Sequence, residues 1–170
     1  MNNTLDLKFL LSDTRARVYL LWAFLASSGF LATHYYQQDK INALWFTISV
    51  IGLGYMFKVM PLKIHSMRNI FLAWLVPIAF GMTVSGLAFK VDSLTGIIPY
   101  LGAFWLLVMA TGYAANGLVD PPSNWYWFAA TLNAAAAIAC FAIEPFTTAQ
   151  YLVAAIVSAW SMLNLWIFRT

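Results

Sequence analysis

The stretch NIFLAWLVPIAFGMTVSGLAF, residues 69–89, decides the fold. It contains no Asp, Glu, Lys, Arg or His. Wound as an α-helix rising about 1.5 Å per residue, it crosses a hydrocarbon layer of about 30 Å. Working outward, residues 18–38, 41–57, 93–119, 121–143 and 145–168 are likewise free of Asp, Glu, Lys and Arg. None alternates polar with apolar residues, as a membrane-spanning strand would. The whole chain is 62% hydrophobic and 9% charged, whereas a soluble domain carries about 25% charged residues. The pattern predicts an all-α polytopic membrane protein with six transmembrane helices, at about 18–38, 41–58, 69–89, 96–118, 122–143 and 147–168. These form one transmembrane domain over 1–170, with 1–17 as a short cytoplasmic arm. The first apolar window is longer than the core of a cleaved signal peptide. Within the arm, LDLKFLL is expected along the interface, with Ser12 or Asp13 capping the first helix.

The basic residues orient the bundle. One side receives Lys8, Arg15, Arg17, Lys58, Lys63, Arg68 and Arg169; the other receives Lys40 and Lys90. Both termini are therefore expected in the cytoplasm, in a bacterial-type inner membrane. The net charge of +3 then reflects topology and contact with anionic lipid, not a nucleic-acid surface. Tyr19, Trp22, Tyr55, Trp125, Tyr126, Trp127 and Trp166 are expected in the inner aromatic belt. Tyr35, Tyr36, Trp45, Tyr100 and Tyr151 are expected in the outer one. Trp74, Trp105 and Trp160 fall deeper, either packed between helices or stacked on a ligand. Asp92–Gly96 and Glu144-Pro145 carry turn residues.

Three plus three helices raise the candidate of an inverted repeat. At an offset of 80, FLAWLVPIAFGM (71–82) lies over YLVAAIVSAWSM (151–162), and Trp45 lies over Trp125.

Signatures of catalysis are sparse. The chain has no HExxH, CxxC, GxSxG or Walker loop. His34 and His65 fall on opposite sides of the membrane, too far apart to share a metal. No acidic residue falls inside a predicted span, so a proton-coupling carboxylate pair is missing. No catalytic residue, cofactor site or metal site is assigned.

What remains in the spans is neutral and polar. Asn133 lies midway along the fifth helix, where an amide needs a partner. It is either an interhelical hydrogen bond or a polar point on a solute path. Pro77 removes a backbone hydrogen bond near the centre of the third helix and is expected to kink it. Kinked helices line many transport sites. The candidate solute path is thus Asn133, Pro77, Trp74, Trp105, Asn116, Trp160 and Asn164. Ala130, Ala134 and Ala137 on the fifth helix, with Ala154/Ser158 and Ala155/Ala159 on the sixth, predict close packing of that pair. Cys140 is expected as a small packing residue. In GLVDPPSNWYWF (117–128), Gly117 and the Pro-Pro pair end one helix, Ser123 or Asn124 caps the next, and Asp120 is expected in the aqueous interface, free or near Arg169.

From Tyr113 to Ala137, the order Tyr113-Ala114-Ala115, Asn116, Asp120, Trp125-Tyr126, Phe128 and Asn133 loosely resembles part of the urea/amide channel family. The match covers only this short stretch, and no functional residue is carried over from it. By size and helix number alone, the chain is also similar to substrate-binding subunits of energy-coupling-factor vitamin importers.

These features point to a channel or carrier for a small neutral or weakly polar solute. The alternative is a non-transporting scaffold or accessory subunit of a larger membrane complex. The expected partners are the lipid bilayer and either further copies of the chain or such a complex.

Overall fold

The computed structural model describes residues 13–36, 41–121 and 124–168. Leu5–Leu11, Ser12, Asp39, Lys40, Pro122, Ser123 and Arg169, which carry several of the expectations above, lie outside the described residues.

Six helices are long and apolar enough to cross a membrane. They are α1 (Thr14–Tyr36), α2 (Ile41–Val59), α3 (His65–Ala88), α4 (Leu101–Val119), α5 (Asn124–Ala142) and α7 (Gln150–Phe168). A 3-10 segment, Asp92–Tyr100, leads into α4, and a one-turn helix α6, Glu144–Thr148, precedes α7. No strand occurs among the described residues.

Both expected turns are thus helical. Val91 and Ile143 hold extended backbone before these segments. Pro99 sits inside the 3-10 segment and Pro145 in the first turn of α6, where its missing N–H and fixed φ suit a helix start. Asp13 caps α1 as expected: its Oδ1 accepts from the Arg15 and Ala16 amides at 2.6 and 3.1 Å.

Each helix packs on its chain neighbour, and α7 closes the ring against α1 while also touching α4 and α5. The most extensive pairs are α1–α7 and α4–α5. The close packing expected between the last two spanning helices is therefore shared. Ala154, Ala155 and Ser158 of α7 are buried, and the Ser27 hydroxyl of α1 donates to the Ala155 carbonyl at 3.1 Å. α1 carries small buried residues of its own, Ala23 and Ala26.

A second device holds the first four helices. Trp22/Gly29, Trp45/Gly52, Trp74/Gly81 and Trp105/Gly112 are each seven residues apart, one pair per helix. In the structure they interlock reciprocally. A Cβ on Gly52 would lie 2.4 Å from the Trp22 ring, and one on Gly29 would lie 3.0 Å from the Trp45 ring. A Cβ on Gly112 would lie 2.7 Å from the Trp74 ring, and one on Gly81 would lie 2.9 Å from the Trp105 ring. Seven residues are two helical turns, so on each helix the indole and its notch share a face. Antiparallel hairpins α1–α2 and α3–α4 therefore place each ring over the partner's glycine. The recurrence these contacts display is one of hairpins; the three-plus-three register at an offset of 80 gains no support from them.

Of the aromatic residues expected in the belts, some face the interior of the bundle and others its outside. Trp22, Tyr19 and Tyr126 are buried, while Tyr35, Tyr36, Trp125 and Trp127 are exposed at the helix ends. The Trp22 N–H reaches the Met56 sulfur at 3.1 Å, and the Trp45 N–H donates to Thr33 Oγ1 at 2.9 Å. α3 runs through Pro77 without interruption.

Candidate solute site

A cavity of about 550 Å³ opens at the end of the bundle where α1 finishes and α2 begins. It lies between Thr33 of α1, Asn42 and Trp45 of α2, Ser85 of α3, Trp105 of α4 and Gln150 of α7, with Met82, Phe89 and Leu101 completing apolar walls. Its size falls within the range of about 300–1,000 Å³ typical of small-molecule sites.

The helix pairing explains how the walls arise. The Trp45 and Trp105 rings stack at 5.6 Å and 11°, because each is docked on a glycine of its own hairpin partner. The two hairpins thus meet through a slab of indole. Phe30 backs this slab, 4.7 Å from Trp45. Thr33 is anchored on both sides: its hydroxyl donates to the Gly29 carbonyl at 2.8 Å and accepts from Trp45.

Gln150 builds the rim. Its Oε1 accepts from the Gly102 and Ala103 amides at 2.8 and 3.1 Å, and its Nε2 donates to the Pro99 carbonyl at 2.6 Å. These are the orphan backbone groups at the start of α4, which no capping side chain of its own satisfies. Gly102 is required here, since a Cβ would lie 2.7 Å from the Gln150 side chain.

Ser85 is different. Its hydroxyl is buried at the cavity wall and has no hydrogen-bond partner. An unpaired buried hydroxyl costs about 1–3 kcal/mol, and this one belongs to a residue of the cavity wall. Among the described residues, no charged side chain lines the cavity. The site therefore offers an aromatic slab, apolar walls and a few neutral polar groups, a set suited to an uncharged molecule with limited hydrogen-bonding capacity. Among the described residues, no group of His, Cys, Asp or Glu could hold a metal ion.

The residues expected on a solute path separate into three groups. Trp105 lines the cavity. Trp74, Asn116 and Asn133 are buried in the core on the far side of its floor. Trp74 packs edge-on against Tyr113 at 5.0 Å. Asn133 Nδ2 donates to the Ala129 carbonyl at 2.8 Å and to Ser161 Oγ at 2.9 Å. Pro77 is half-buried and does not line the cavity, and Asn164 turns its amide back onto the Trp160 carbonyl at 2.8 Å. Trp160 is 58% exposed on the outside of the bundle, so it lies outside any internal path.

Asp120 corrects an expectation at the opposite end. It is buried, not free in an aqueous interface. Its Oδ1 lies 3.5 Å from Arg15 Nη1, and its Oδ2 accepts from the Tyr126 hydroxyl at 3.1 Å. Tyr126 in turn hydrogen-bonds the Tyr19 hydroxyl. A residue placed by sequence in a connecting turn is thus the centre of a polar cluster joining α1, α4 and α5.

Comparison of the chain with protein-family models, curated proteins and solved structures gives no match. The likeness of residues 113–137 to urea/amide channels accordingly gains nothing, and the cavity itself carries the functional argument.

Proposed function

We propose that this protein is a membrane carrier or channel for a small neutral or weakly polar solute, which it takes up in the cavity bounded by Trp45, Trp105 and Ser85. The observation that supports this most is the combination of an uncharged, partly aromatic cavity with one unpartnered buried hydroxyl. With the basic residues Arg15, Arg17, Lys58, Lys63 and Arg68 in the cytoplasm, the cavity faces the external side of a bacterial-type inner membrane. Both termini are then cytoplasmic.

The cavity lining does not extend to the buried residues Leu106, Val108 and Ala154. Alternating exposure of a bound solute fits this shape better than free diffusion.

Liposome swelling with a panel of neutral solutes (small amides, polyols and small aromatic alcohols) tests the proposal. At least one should enter faster than into protein-free vesicles, and Ser85→Ala should slow that entry. Flux equal to that of protein-free vesicles across the panel would overturn it.

The rival, a subunit of a larger membrane complex, draws on α2 and α3, whose spanning segments are only 22% and 28% buried. Lipid covers such surfaces without any protein partner. Co-purification of a stoichiometric partner that shields α2 and α3 from lipid-phase labelling would favour the rival.

A further inference from the structure

Beyond the cavity floor the core turns polar again along one line. On α4, Tyr113 and Asn116 lie three residues apart on one face, and Asp120 follows as the helix's C-cap. Facing them are Asn133 and Tyr126 of α5, and Ser158 and Ser161 of α7. Asn133 bonds Ser161, the Tyr113 hydroxyl faces Ser161 and Tyr126, and Tyr126 bonds Asp120 and Tyr19. Asn116, Asn133 and Ser158 are fully buried, yet Asn116 Oδ1, Asn133 Oδ1 and Ser158 Oγ have no hydrogen-bond partner.

A core selected for stability alone has little use for this line. Interhelical hydrogen bonds in membranes contribute only about 0.6 kcal/mol on average, less than each unpaired acceptor costs. Three such groups, one on each of three helices packed together, are acceptors that a molecule entering there would satisfy. At its basic end the line stops at Arg15, Asp120, Tyr126 and Tyr19. These come from α1, the end of α4 and the start of α5, and they tie together the helices that would have to part.

We infer that the Tyr113–Asn116–Asn133–Ser158–Ser161 column is the inner half of a passage for water or a neutral hydrogen-bonding solute, closed at the basic end by the Arg15–Asp120–Tyr126–Tyr19 cluster. This rests on the cavity being the outer half. The structure then shows the passage open outward and shut inward. Among the contacts that hold Asp120 in the shut state are an ion pair to α1 and a charge-assisted hydrogen bond to α5.

The test uses Cys140→Ala protein, which removes the buried native thiol, with Ser161→Cys as a reporter and a small neutral thiol reagent as the probe. Ser49→Cys, also buried but on α2, reports general loosening. Asp120→Asn should accelerate modification at Ser161→Cys roughly tenfold, the effect of removing a hydrogen bond to a charged group from a two-state closure. Ser49→Cys should be unchanged. If Asp120→Asn does not fold, Tyr126→Phe, which removes one hydroxyl, should give a smaller acceleration with the same selectivity. No acceleration in either variant, or equal acceleration at both reporters, overturns the inference. Labelling is read without solute, so a failed closure leaves binding in the outer cavity standing. Failed solute binding likewise leaves any labelling difference standing.

Discussion

The two ends of this bundle are built from opposite chemistry on the same six helices. At the end where α1 meets α2, the helices stand around a cavity whose lining among the described residues is uncharged, with neutral polar groups. At the other end, an Arg, an Asp and two Tyr draw α1, α4 and α5 together over a buried carboxylate. A charge can be afforded inside a membrane protein only where partners surround it. Here that requirement is met at one end by partners from three helices. The contrast teaches that, on the proposed reading, the charged cluster is the fastening and the neutral one the binding surface.

Substitutions can break this contrast at different depths. The largest effect is expected at the Trp–Gly interlocks on which both ends hang. Gly52→Leu drives a side chain into the Trp22 ring and should lower stability by about 1–3 kcal/mol or more, read as a fall in melting temperature in detergent. Gly54→Leu on the same helix meets nothing within 4 Å and should leave the melt unchanged.

Next comes the fastening. Arg15→Gln removes the Arg15–Asp120 ion pair and should cost up to about 1 kcal/mol, since the Arg15 side chain is 30% exposed. Raising the salt concentration should narrow the gap between this variant and the native protein. A variant that melts with the native protein at low salt would show that the basic end is held by packing alone.

A smaller effect is expected in the column. Asn133→Leu removes the bond to Ser161 but also an unpaired amide oxygen. Its stability should therefore change by less than about 1 kcal/mol, while solute flux falls. Unchanged flux would detach the column from the passage. The smallest effect is expected at Trp160→Ala. This residue lies on the outer surface and should alter neither flux nor binding.

Fold class was legible because it rests on length and the absence of charge, which a single sequence displays directly. The site was less so. Ser85, Thr33 and Trp45 look in sequence like ordinary span or belt residues, and Gln150 looks like a helix-end polar group. Their convergence depends on which helices are neighbours, a tertiary fact. The seven-residue Trp–Gly spacing, repeated in four consecutive spans, was the available signal, since it marks both the hairpin partners and the face each helix turns inward. Asp120 was misplaced for a related reason. Beside Pro121 it has the local chemistry of a turn, and only the approach of Arg15 from α1 and Tyr126 from α5 buries it. Trp160 misled in the opposite sense, because depth along a helix says nothing about which way a ring points.

The central claim is that a neutral solute occupies the cavity between Trp45, Trp105 and Ser85. The most direct measurement is calorimetric binding of a solute that permeates in the swelling assay, to native protein and to Ser85→Trp, whose indole fills the cavity. Saturable binding to the native protein and none to a Ser85→Trp protein that still melts cooperatively is the predicted result. Equal binding to both would place the solute elsewhere and contradict the account.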